Sequence, residues 1–117
     1  LILFLIDIVL VLVSNYSLIK KSVIVLMAGV PEHLDYEKVG LALKNIHGII
    51  DVHDLHIWYI SANQSALAAH VVACDLEAWP EVLAESQKVL LEKYAITHVT
   101  LQAEFDDVKC REAGCCD

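Results

Sequence analysis

Residues Leu1 to Ile19 are almost entirely apolar, and Asp7 is the only charge among them. A helix that crosses a bilayer needs about 20 such residues, so the first third of the chain reads as a membrane span or most of one. It lacks the basic start and small-residue cleavage site of a secretory signal, and it begins with Leu rather than Met. The expectation is a truncated span with further spans upstream. Lys20 and Lys21 follow directly. Lys and Arg concentrate on cytoplasmic flanks, which puts the remainder of the chain in the cytoplasm. Asp7 is costly in lipid and is a candidate functional group on that ground alone, unless it reaches water at the distal end of the span.

The net charge of the chain is −8, and its acidic excess lies after Pro31. Phosphate binding needs a basic face, so the charge argues against nucleic acid as a partner. An acidic domain is compatible with cations. The four cysteines are Cys74, Cys110, Cys115 and Cys116. In a cytosolic domain they are expected as thiols. Adjacent Cys115 and Cys116 would pair poorly with each other, so the tail reads as a set of thiols or metal ligands. Cys74 falls within a strand-like run and reads as a small buried hydrophobe.

Gly29-Val30-Pro31 ends the first helix. This divides the chain into a span and linker over residues 1–30, a soluble domain over 31–105 and a tail over 106–117. In the soluble part, Asp35 is a candidate N-cap for a helix from Tyr36 to about His47, and Gly48 is its natural stop. Ile49 to Ile60 and Ala66 to Cys74 have strand character. Trp79 to Tyr94 has helical periodicity, with Trp79, Val82, Leu83, Ser86 and Leu90 on one face and Asp75 as a candidate cap. His98 to Phe105 alternates as a third strand. Two helices covering one face of a small sheet make an α+β layer domain of order αββαβ. The tail from Asp106 to Asp117 has no apolar period and is expected to be mobile until tied down.

The chemistry concentrates in Val52-His53-Asp54-Leu55-His56-Ile57-Trp58 and Ala69-His70-Val71, joined through a polar loop. Opposed side chains on paired strands have Cβ atoms about 4.5–5.5 Å apart, close enough for two imidazoles to share a metal ion. A turn centred near Asn63 pairs His56 with His70 and leaves His53 on the other parity. The apolar pattern also changes parity, from Ile50 and Val52 to Leu55 and Ile57. A bulge near His53-Asp54 accounts for that change and turns His53 toward His70. The residues themselves leave His53 and His56 as competitors.

Glu104 is the candidate carboxylate. His98 lies on the same strand face, but roughly 20 Å along it, so the two cannot serve one ion. Cys110, Cys115 and Cys116 form a C-x4-C-C cluster suited to zinc or another borderline-soft ion. His33 and His47 sit at helix boundaries, where capping or surface roles suffice. There is no nucleophile elbow, phosphate loop, H-E-x-x-H or Ser-His-Asp arrangement, so an enzyme is not expected.

Taken in order, the late apolar helix, Leu26-Met27-Ala28-Gly29-Val30-Pro31, the Val52–Trp58 run, Ala69-His70-Val71 and His98-Val99-Thr100-Leu101-Gln102-Ala103-Glu104 resemble the cation diffusion facilitator family, in particular its zinc-transporting branch. The resemblance implies the end of the last transmembrane helix followed by a metallochaperone-like cytoplasmic domain. It implies a homodimeric metal/proton antiporter whose transport site lies on upstream helices. It implies His53, His70 and Glu104 as ligands of a regulatory metal, with tail cysteines as further ligands in some members. The family's C-x-x-C spacing differs from the spacing here. His98 falls near the place of a membrane-facing histidine in relatives. The expected ion is Zn2+, with Co2+, Ni2+ and Cd2+ open to the same donors. The second reading is a membrane-anchored metallochaperone, in which the tail thiols are central.

Overall fold

The computed structural model describes residues 1–114. Helix α1 spans Ile2–Leu26, and none of its residues is buried. Its 25 residues rise about 37 Å, enough to cross a hydrocarbon core of about 30 Å. Beyond it come α2 (Tyr36–Lys44), β1 (Ile49–Ser61), β2 (Gln64–Ala73), α3 (Trp79–Tyr94), β3 (Ile96–Glu104) and a short α4 (Asp107–Glu112).

The sheet order is β1-β2-β3. β1 and β2 form an antiparallel hairpin with Ser61 opposite Gln64. β2 and β3 run parallel, so α3 serves as the crossover that a parallel pair requires. Helices α2 and α3 cover one face. Val39, Leu43, Val82 and Leu90 meet Leu55, Ile57, Leu67, Ala69, Val71 and Ile96 in a single core. The opposite face carries the even-numbered residues of β2 and β3. Its successive layers are Asp51/Val72/Glu104, His53/His70/Gln102, His56/Ala68/Thr100 and Trp58/Ala66/His98.

Local chemistry explains the boundaries. Asp35 caps α2, its Oδ1 accepting from the N–H groups of Glu37 and Lys38. α2 stops at Lys44, earlier than the periodicity to His47 implies. The chain then turns through Gly48, whose φ of +96° admits no side chain without strain. A Cβ there would also lie 2.9 Å from Val82 Cγ2. Asp75 is not the cap of α3. The N-cap is Ala78, without a side-chain bond, and Asp75 instead accepts from the Glu77 N–H in the preceding turn. Cys74 sits just past the end of β2 rather than inside it. β3 starts at Ile96 rather than His98, because the left-handed cap at Ala95 turns α3 straight into the strand. Inside α3, the buried Ser86 hydroxyl donates to the Val82 carbonyl, so its burial leaves no group unpaired.

The described part of the segment after Phe105, through Gly114, lacks an apolar repeat but is tied down through a short helix. Asp106 caps α4 by accepting from the N–H groups of Val108 and Lys109. Cys110 is fully buried, with Sγ 3.7 Å from the Ala73 carbonyl oxygen. Asp51 on β1 receives Lys109 Nζ at 2.8 Å and Lys44 Nζ at 3.1 Å, tying α4 and α2 to one carboxylate. The Lys109 ammonium first, and Lys44 second, hold the Asp51 carboxyl down to about 2 from an ordinary 3.8. The signal for this anchor was a capping Asp followed by Lys and Cys at helical spacing, within a segment too short to show a period.

Two outcomes follow from this packing. Gly48→Ala should destabilise the domain by about 2 kcal/mol, read as a lower urea midpoint at unchanged slope. Asp51 has a folded-state pKa below its unfolded value. Its contribution is therefore complete above the unfolded pKa of 3.8 and is lost as pH falls from there toward 2. Asp51→Asn should lower stability at neutral pH, remove that acid-dependent component, and speed hydrogen exchange in α4. An unchanged acid limb in the variant would show that these ion pairs do not anchor α4.

Candidate metal centre

Three side chains from three strands converge on the uncovered face of the sheet. His53 on β1 stands directly opposite His70 on β2. Their rings lie 5.4 Å apart, centroid to centroid, and are tilted by 51°. Glu104, at the end of β3, reaches both. Its Oε1 is 2.6 Å from His70 Nδ1 and its Oε2 is 3.1 Å from His53 Nε2. One ligand atom from each residue can be chosen so that all lie within 4.8 Å of one another, the only such group of His, Cys, Asp or Glu among the described residues.

The opposition of the two histidines depends on the course of β1. His53 pairs with His70 and His56 pairs with Ala68, so three steps along β1 match two along β2. Asp54 is the extra residue, with a left-handed φ of +49°. This is the bulge that the change of apolar parity pointed to. It places Val52 on the core side with Leu55 and Ile57, and His53 on the open side with His56. His53 and His56 are therefore not on opposite faces. They share one, and only His53 meets His70.

The donor set fits a divalent cation. Two imidazoles and a carboxylate are borderline ligands of the kind zinc and cobalt take. Ligands about 2.1 Å from a tetrahedral ion stand about 3.4 Å from each other. The present separations of 2.6 and 3.1 Å are those of hydrogen bonds, so admitting an ion requires the carboxylate and the two rings to move apart from these contacts. The three side chains are 34% to 38% exposed, which leaves an ion a path from solvent and a position for a further ligand.

The other candidates fall elsewhere. His56 is exposed one layer along the same face, outside the cluster. Cys110 is the buried residue of α4, turned toward the end of β2. Cys115 and Cys116 lie outside the described residues. His98 is exposed opposite Ala66, at the other end of the open face from Glu104. The His33 ring lies 6.3 Å from that of Tyr59, centroid to centroid, tilted by 48°. Asp7 is exposed on α1. The Asp51–Lys44–Lys109 anchor, in the same layer as Glu104, was not read from the sequence.

Comparison with known proteins bears on the whole soluble part. The family model for the cytoplasmic domain of cation efflux proteins matches residues 31–106. A probable zinc transporter protein of Dictyostelium discoideum is 40% identical over 109 residues, covering 92% of this chain and 20% of its own length. A cadmium, cobalt and zinc/H(+)-K(+) antiporter of Bacillus subtilis is 38% identical over 104 residues, covering 84% of this chain and 32% of its own. The chain thus spans a third or less of these relatives. Among solved structures, the metal-bound C-terminal domain of the CzcD transporter from Cupriavidus metallidurans is similar at 37% identity and a TM-score of 0.55. That match covers 61% of this chain and 99% of the solved domain. With its apolar helix leading into this αββαβ domain, the chain belongs to the cation diffusion facilitator family, and residues 31–106 are the cytoplasmic domain of a cation efflux protein.

Proposed function

We propose that this chain is the cytoplasmic end of a multi-pass divalent-cation efflux transporter, working as a homodimeric metal/proton antiporter, and that His53, His70 and Glu104 bind a regulatory zinc ion. The observation that carries the metal reading is the convergence of two imidazoles and one carboxylate within 4.8 Å. The relatives, named as transporters of zinc, cadmium and cobalt, support the cargo. The metal-bound state of the similar CzcD domain supports the site. Transport itself belongs to helices outside this chain, and α1 joins the domain to them.

In this reading the metal works through charge. The domain is strongly acidic, and two copies repel each other. An ion held by one carboxylate and two neutral imidazoles adds positive charge at the open face. If it binds one dimer arrangement more tightly than another, occupancy shifts the population toward the tighter one. Cys110, Cys115 and Cys116 are a second donor set. Cys110 must leave its seat against Ala73 before it can serve as a ligand.

For the full chain in detergent, His53→Ala, His70→Ala and Glu104→Ala should each weaken zinc binding by about tenfold or more, measured by competition against a chromogenic chelator. His56→Ala should leave it within about threefold. Loss with His56→Ala alone would replace His53 by His56. Zinc at a hundredfold excess over its Kd should stabilise the wild type by about 2.7 kcal/mol, raise its Tm and favour dimer in sedimentation velocity, with chelator reversing all three. A chain that stays monomeric with and without zinc would leave a passive metal-binding module. Replacing Cys110, Cys115 and Cys116 together by Ser should lower the zinc count per chain. An unchanged count would show the tail thiols to be incidental.

A further inference from the structure

Resting on the metal reading above, we propose that Asp54 is a positioning residue for the metal centre. Its left-handed backbone, rather than its carboxylate, holds His53 over His70 and Glu104.

Side chains alternate along a strand, so His53 and His56, three residues apart, would ordinarily face opposite sides. The extra residue at Asp54 puts both on the open face. The half of β1 after the bulge is locked. Leu55 and Ile57 are buried in the core, Trp58 pairs with Ala66, and the hairpin closes at Ser61 and Gln64. If the bulge were lost, the half before it would have to turn over. His53 would then point to the helix side, where Val39 and Leu43 already fill the space, and Val52 would face water. The bulge thus decides whether the third ligand exists.

The residue type matches that role. A φ of +49° is tolerated by Gly, Asn and Asp and is an outlier for β-branched residues. Asp54 is exposed, and its side chain makes no hydrogen bond or ion pair among the described residues. Nothing it touches explains an Asp here, whereas its backbone does. Glu104 already supplies the carboxylate of the cluster.

The test compares wild type, Asp54→Gly, Asp54→Asn and Asp54→Val as full chains in detergent. Zn2+ affinity and the visible absorption of bound Co2+ are measured for each. Gly and Asn should keep the wild-type affinity within about threefold, with the same Co2+ spectrum. Val should lose about tenfold or more and show a weaker, shifted Co2+ band, because one nitrogen donor is displaced. If Val does not fold, Asp54→Ala carries the same contrast against Gly with a smaller backbone penalty. A Val or Ala variant that melts earlier but binds both ions as wild type does would overturn the proposal, since the bulge would then serve stability alone. A Gly variant as weak as Val would also overturn it, by making the carboxylate itself the contributor. A wild-type chain that binds neither ion would overturn the metal reading and this role with it.

Discussion

The register between β1 and β2 is the constraint on which the rest of the domain depends. β2 is the central strand, antiparallel to one neighbour and parallel to the other. Its odd-numbered residues Leu67, Ala69, Val71 and Ala73 are almost wholly buried. Sliding either neighbour by one residue would carry a whole row of apolar side chains to the wrong face. The two-residue connection between Ser61 and Gln64 sets the register from one end, and the bulge at Asp54 corrects it partway along. Both are needed for the core and the histidine pair to coexist on opposite faces of one strand.

Much of this was legible in the sequence, and the reasons differ by element. The apolar run that became α1, the capped start of α2 and the whole of α3 rest on patterns longer than a helical turn, and those are robust. The bulge was legible because two patterns, apolar parity and histidine spacing, broke at the same place. The shared face of His53 and His56 was not, because a bulge changes parity for everything before it and the pairing alone does not say which half stays fixed. The start of β3 was misjudged by two residues where the left-handed cap at Ala95 sets the boundary, and α2 ends at Lys44, with Asn45 as its C-cap, a few residues before Gly48. Helix α4 escaped notice because it is held by single contacts at Asp106, Lys109 and Cys110. Such contacts depend on residues far away in sequence, as with Asp51 for Lys109.

The choice between His53 and His56 shows how residue reading and family resemblance divide the work. Chemistry alone asked for two imidazoles across a hairpin and a carboxylate within reach. It could not rank the two histidines of the first strand. The resemblance favours His53, and the strand pairing sets that residue opposite His70. Only His53 lies opposite His70, and only that pair comes within reach of the Glu104 carboxylate.

The three converging donors sit on three separate strands, and His70 and Glu104 are 34 residues apart in the chain. Between them the whole of α3 must form and β3 must add to the sheet edge. A β1–β2 hairpin formed early in folding would carry two imidazoles but no carboxylate. Closing so long a loop is among the later events expected in assembly. Any cation that requires all three donors therefore meets a competent site only on a completed sheet. Such an ion discriminates finished domains from partly folded ones before it does anything else.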